Sequence, residues 1–202
     1  MHPYFQKEHN QMTTDPVRIA IIVGSTREGR FGDAVGAWFR HQASLRNDIS
    51  FDYLDLAGLD IPAVYPERAT SDIDTLVERI DRADGYVIVT PEYNHGYPAS
   101  LKQAIDLASS EWRAKPAGFV SYGGMAGGLR AVEQLRQVLA ELHVVTIRDT
   151  VSFHMAHRQF NEHGELVDPD GANLAAAVML DQLVWWAETL RDARAVRPYA
   201  AA

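Results

Sequence analysis

With 202 residues, 47% of them hydrophobic and 23% charged, the chain has the profile of one globular domain long enough to bury a core. It contains no cysteine, which excludes disulfides, thiolate nucleophiles and thiolate–zinc sites. A formal charge of −8 argues against general nucleic-acid binding, which needs a basic face, although sixteen arginines among the 19 cations leave room for one specific anion site.

Residues 1–16, MHPYFQKEHNQMTTDP, lack the apolar core of a secretory signal and read as a flexible polar tail. The stretch VRIAIIVGS, residues 17–25, is a near-continuous aliphatic run, as expected of a strand buried on both faces. After TREGRFG, residues Val35, Trp38, Phe39 and Leu45 keep helical spacing. A second strand is expected over 49–56, followed by a loop with Pro62 and Pro66 and a helix around residues 72–84. GYVIVT, residues 85–90, is the third strand, and Pro98 suits the first turn of a helix over 99–112. Residues 116–123 give a fourth strand. Val132, Leu135, Leu139 and Leu142 form one apolar helical stripe, and HVVTIRDTVSF, residues 143–153, is a fifth strand. A last helix over 173–193 carries Trp185 and Trp186, which point about 100° apart, so one is expected in the core and the other at a subunit contact. Residues 195–202 form a C-terminal tail, leaving one domain over 17–194.

Five alternations of strand and helix predict an α/β three-layer sandwich on a parallel sheet, with right-handed crossovers covering both faces. Such sheets bind ligands beyond the carboxyl ends of their strands, where strand order reverses. Three loops lie there. GSTREGRFG, residues 24–32, joins a strand to a helix; its glycines let the main chain curve, Ser25 and Thr26 offer hydroxyls, and Arg27 and Arg30 offer charge-assisted donors for a phosphate. It is neither a Walker loop nor G-x-G-x-x-G. TPEYNHG places Tyr93, Asn94 and His95 at the exit of the third strand. SYGGMAGG, residues 121–128, allows close approach of backbone N–H groups. A flat heteroaromatic ring edged by donors and acceptors fits the second and third loops together.

With these loops in place, the chain resembles the NADPH-dependent FMN reductase family of flavodoxin-like proteins, which includes quinone, azo-dye and chromate reductases. The resemblance rests on IVGSTREGRFG, VIVTPEYNHGYPASLKQAIDLAS and FVSYGGMAGGLRAVEQLRQVLAEL, in order and spacing, over residues 17–153. It implies a flavodoxin-like sheet in the order 2-1-3-4-5. By position, Ser25, Arg27, Arg30, Phe31 and Gly32 would hold the FMN phosphate. Pro91, Glu92, Tyr93, Asn94, His95 and Gly96 would border the isoalloxazine, with Asn94 and His95 at its N5 edge. Ser121, Tyr122, Gly123 and Gly124 would border the pyrimidine side. The chain departs from the family where many members carry Ser, Thr or Asn and it has Arg30 and Gly32.

The resemblance further implies NADPH or NADH as electron donor, hydride transfer to the flavin, and a ping-pong delivery of electrons to a flavin, quinone or similar small acceptor. No protein nucleophile is expected, and the N–H groups of Gly123 and Gly124 are expected to face charge developing on the reduced ring. The competing readings are an electron-carrier flavodoxin and a non-catalytic flavin-binding module. A homodimer or homotetramer in the cytoplasm is expected, with no membrane. His154, His157 and His163 lack a metal-site pattern and are expected at the surface or lining a pocket. Lys102 and Asp106 are expected as an i, i+4 surface pair unless their helix lies in an interface.

Overall fold

Two of the most apolar segments of the chain, Val17–Val23 (β1) and Gly85–Pro91 (β3), lie side by side at the centre of a five-stranded sheet in the computed structural model, which describes residues 15–199. Ile49–Asp55 (β2) pairs with the outer edge of β1; Pro116–Tyr122 (β4) and Val145–Phe153 (β5) extend the sheet beyond β3. All pairings are parallel, and the order β2-β1-β3-β4-β5 is the one the resemblance implied. Strand order therefore reverses between β1 and β3.

Alternation along β1 sorts the core into two layers. Ile19, Ile21 and Val23 face Gly32–Ser44 (α1) and Asp170–Val196 (α5), whose Val35, Phe39, Leu180 and Leu183 are buried with them. Ala20 and Ile22 face the layer formed by Ser71–Arg82 (α2), Ala99–Asp106 (α3) and Leu129–Glu141 (α4), with Leu76, Ile80, Leu101, Val132, Leu135 and Leu139 buried. Each such side chain contributes roughly 1.5–3 kcal/mol by leaving water.

Several sequence expectations shift. The helix expected over 99–112 ends at Asp106, and a separate 3-10 turn, Ser110–Trp112, follows. Trp112 is fully buried there, its indole N–H donating to the Ile105 carbonyl at 3.1 Å, so burying one large ring redirects the chain. Pro98 is the N-cap of α3 and does not enter its first turn. Leu45, read as part of the α1 stripe, is the C-cap and is exposed. The last helix starts earlier than expected and runs to Val196, past the expected domain end. Trp186 packs on the core while Trp185 is exposed, their rings meeting edge to face at 5.1 Å. The expected N-terminal tail falls outside the described residues except for Asp15 and Pro16, and the C-terminal tail is described only as far as Tyr199. Among the described residues no helix is long and apolar enough to cross a membrane.

Candidate functional site

The carboxyl ends of β1, β3 and β4 bring the three loops together. The N-terminus of α1 carries no side-chain cap: Phe31 occupies the cap position, and the N–H groups of the first turn have no intrahelical acceptor. Those groups carry the positive end of the helix dipole, an arrangement that favours an anion. Gly29 takes a left-handed φ of 64°, the turn that brings residues 26–31 round to the helix.

The two arginines of this loop are used differently. Arg27 is exposed, and its guanidinium has no protein partner among the described residues. Arg30 is engaged on every side. Its Nη1 and Nη2 donate to the two carboxylate oxygens of Asp55 at 2.7 and 2.5 Å, its Nε donates to Asp33 at 2.8 Å, and Nη1 also donates to the Ser25 carbonyl. Only 8% of its side chain is exposed. The Asp55 hydrogen bonds hold its basicity above the ordinary arginine value. Burial pushes the Asp55 carboxyl up, but Arg30 and the Ala57 N–H outweigh it, and the group stays below the usual carboxylate range. The Arg30 side chain thus neutralises two carboxylates at the mouth of the loop instead of presenting a free charge. Asp55 was not singled out in the sequence; it stands 25 positions away and arrives only because β2 pairs with β1.

Ser25 is completely buried and shares a 2.8 Å hydrogen bond with the Tyr93 hydroxyl, which ties the first loop to the second. Ser100, at the start of α3, adds a 2.9 Å bond to the Gly24 carbonyl. Thr26 is the exposed hydroxyl of the pair read from the sequence. A groove of about 600 Å³ lies between these loops, bordered by Thr26, Arg27, Glu92, Tyr93, Asn94 and Ser100. A second cavity of about 490 Å³ on the far side of Thr26 shares Ala99 and Ser100 with it and is walled by Leu56, Leu59 and Ile61. Both lie within the size range of small-molecule sites.

The β3 loop closes on itself. Tyr93 and Gly96 exchange backbone hydrogen bonds at 2.8 and 3.0 Å, and between them Asn94 (φ 48°) and His95 (φ 76°) are both left-handed. This is the geometry of a type I′ turn built without a central glycine, a conformation that side chains resist. Pro91 is the buried last residue of β3. Glu92 neither reaches solvent nor lies free beside the groove. Its side chain is 7% exposed, it pairs with the Arg130 guanidinium, and it accepts from the Arg130 N–H at 3.2 Å.

The β4 loop departs most from expectation. Tyr122 is buried, its ring 6.1 Å from Phe31, and its hydroxyl lies 2.6 Å from where a Cβ on Gly32 would stand. It therefore sits beneath the first loop, not at an exposed pyrimidine border, and burial pushes its phenol well up. Among the described residues that buried hydroxyl makes no well-formed hydrogen bond, although the Ser25 hydroxyl stands beside it. Phe31 itself packs edge to face on Phe160 at 5.3 Å. Ser121 is buried and donates to the Gly127 carbonyl at 2.8 Å. The Gly123 N–H, expected to face a ligand, donates to the Phe153 carbonyl at 3.2 Å, because β5 runs alongside β4. Gly124 is the open one: a Cβ there would meet nothing within 4 Å, and its N–H has no protein acceptor among the described residues. Gly127 and Gly128 serve the turn, with φ of 59° and 86° and no space for a side chain. The His154 ring bonds the Met125 carbonyl at 2.8 Å, and among the described residues no cluster of His, Asp or Glu could hold a metal.

The donor set suits a ligand that carries a phosphate and a flat polar ring. An uncapped helix start and the Arg27 cation, which has no protein partner among the described residues, converge on one loop, and a phosphate would complete both. The profile described as NADPH-dependent FMN reductase matches residues 17–158. An NAD(P)H-dependent FMN reductase of Schizosaccharomyces pombe is 35% identical over 133 residues, a stretch that covers 60% of this chain and 64% of that protein. The chain thus spans just under two thirds of that relative. A 2-hydroxy-1,4-benzoquinone reductase of Burkholderia sp. is 31% identical over 191 residues, covering 88% of this chain and 98% of that protein. Among solved structures, FerB, a flavoenzyme NAD(P)H:(acceptor) oxidoreductase from Paracoccus denitrificans, superposes with a TM-score of 0.71 at 24% identity, over 86% of this chain and 98% of that one, a likeness of fold.

Proposed function

The chain belongs to the NADPH-dependent FMN reductase family of oxidoreductases, and from that premise we propose that it is an FMN-dependent NAD(P)H oxidoreductase acting on a flavin, quinone or similar small acceptor. The observation that carries this reading is the meeting, at the β1/β3 reversal, of an uncapped helix start with the unpaired Arg27 and the preset 93–96 turn. Bound FMN would supply the redox chemistry, taking hydride from NAD(P)H and passing electrons on in a ping-pong cycle.

The protein's part is binding, orientation and electrostatics. The Arg27 guanidinium, the Thr26 hydroxyl and the first-turn N–H groups of α1 hold the phosphate. Arg30 acts through neighbours, cancelling the repulsion that Asp33 and Asp55 would exert on it. The Ser25–Tyr93 bond sets the distance between the phosphate end and the ring end of the groove. Asn94, His95 and Gly96 would border the ring edge, and the Gly124 N–H, without a protein acceptor among the described residues, would face charge on the pyrimidine side. A homodimer or homotetramer is the assembly proposed, supported by Leu174, Val178 and Trp185, which lie exposed on α5.

The test is an anaerobic absorbance titration of the FMN-loaded protein with NADPH, then NADH. Loss of the oxidised flavin band within the mixing time for at least one nucleotide is expected. Binding of FMN without bleaching by either nucleotide would move the protein to the electron carriers.

A further inference from the structure

The turn Asn94–His95 is held from outside by α4, which follows the next strand of the sheet. Arg130 and Gln134 stand four apart on α4 and so share one face of its first two turns. The Gln134 amide donates to the His95 carbonyl at 2.8 Å, and an Arg130 Nη1 meets His95 Nε2 at 2.5 Å. Buried Glu92 fixes Arg130 in turn, through its guanidinium and through its N–H. A Cβ on Gly96 would come within 3.2 Å of Gln134 Oε1, so helix and turn are in close contact. Capping the start of α4 explains the Glu92–Arg130 pair. It does not explain why both long side chains reach on to His95.

We propose that Arg130 and Gln134 are positioning residues, gripping His95 by its ring and its carbonyl so that the 94–96 backbone is preset as the ring-bordering edge of the site. The proposal rests on the flavin reading above. Two consecutive left-handed residues with side chains relax unless surrounding contacts over-determine them. Here the over-determination is the Tyr93–Gly96 bond pair on the inside and α4 on the outside. A guanidinium only donates hydrogen bonds, so His95 Nε2 must be its acceptor and the ring proton sits on Nδ1. The helix thereby sets the histidine's tautomer as well as its place. Presetting the edge removes an ordering cost from ligand binding.

The apo protein tests the grip without flavin. In Arg130→Ala and Gln134→Ala, hydrogen exchange of the Tyr93 and Gly96 amides is expected to rise roughly tenfold while core strands exchange as in the wild type. Nitrogen-15 spectra of the imidazole are expected to show the Nδ1–H tautomer in the wild type and its loss in Arg130→Ala. Arg130→Lys keeps the charge opposite Glu92 and should fall between the two. The loosened variants should then bind FMN about tenfold more weakly, with a shifted visible spectrum, at unchanged far-ultraviolet circular dichroism. Unchanged exchange in both alanine variants overturns the grip. A loosened turn with wild-type FMN affinity and spectrum overturns the positioning role. If the wild type takes up no FMN, the flavin reading fails, and the apo exchange and tautomer data alone decide whether α4 sets the turn.

Discussion

At the amino end of the sheet, Asp84 accepts from the Arg18 N–H at 3.0 Å and stands 3.5 Å from both Arg191 and Arg194. Beside it the buried Lys115 ammonium donates to the Ile80 and Asp81 carbonyls, in the last turn of α2, at 3.0 and 2.6 Å. At the carboxyl end, among the described residues, the Arg27 guanidinium and the Gly124 N–H have no protein partner. At the first end Asp84 and Lys115 are bound by the fold's own groups; at the second, among the described residues, the Arg27 guanidinium and the Gly124 N–H are bound by none, which is what a ligand site would require. Arg30 shows the boundary between these uses, since it lies in the β1–α1 loop yet is tied to carboxylates like a residue of the other end.

The sharpest way to break this contrast is to remove the β2 carboxylate that holds Arg30. Asp55→Ala leaves the nearly buried Arg30 with Asp33 as its one carboxylate partner among the described residues, largely exposed, and should cost about 2–4 kcal/mol in urea unfolding. The Arg30→Ala/Asp55→Ala double variant should cost less than the sum of the singles.

Next in size is a pH effect at the amino end. Burial brings the Lys115 ammonium down to about 8, with Asp81, Asp84, Glu111 and Arg194 also facing it. Between that value and the normal lysine range the unfolded chain binds the extra proton, so the folded state gains as pH rises. The stability of the wild type relative to Lys115→Met should therefore climb by roughly 1–3 kcal/mol from pH 8 to 10.5, and be flat below pH 7. A difference that falls over that window contradicts the assignment.

Smaller, and opposite in kind, is Arg27→Ala. Unfolding should change by no more than about 0.5 kcal/mol, whereas FMN affinity should fall about tenfold by fluorescence quenching. Smallest of all is Asp106→Asn. The Lys102–Asp106 pair formed as expected at 2.5 Å, but both side chains are more than a third exposed, so its loss should cost only about 0.3 kcal/mol in the same unfolding assay.

Much of this layout was legible from the chain. Period-two and aliphatic runs gave the five strands, and the alternation with helices gave the sheet order once the family was recognised. The loops at the ends of β1, β3 and β4 were identifiable because glycine, proline and aromatic residues there serve neither strand nor helix. Sequence could not separate Arg27 from Arg30, because the distinction is made by Asp55 on a neighbouring strand. Nor could it orient Tyr122, whose place at the end of a strand is compatible with either layer until β5 and Phe31 are in position. Gly123 and Gly124 look equivalent on paper, yet Phe153 takes one N–H and leaves the other. Arg130 and Gln134 carried one faint signal, a four-residue spacing of long polar side chains at the start of a helix.

The central claim is that the carboxyl end is built around a phosphate. Competitive fluorescence titration of the wild-type apo protein with FMN and with riboflavin, which differ only in that group, tests it directly. The structure predicts FMN binding at least about a hundredfold tighter, the difference shrinking in Arg27→Ala. Equal affinities for the two flavins would contradict it.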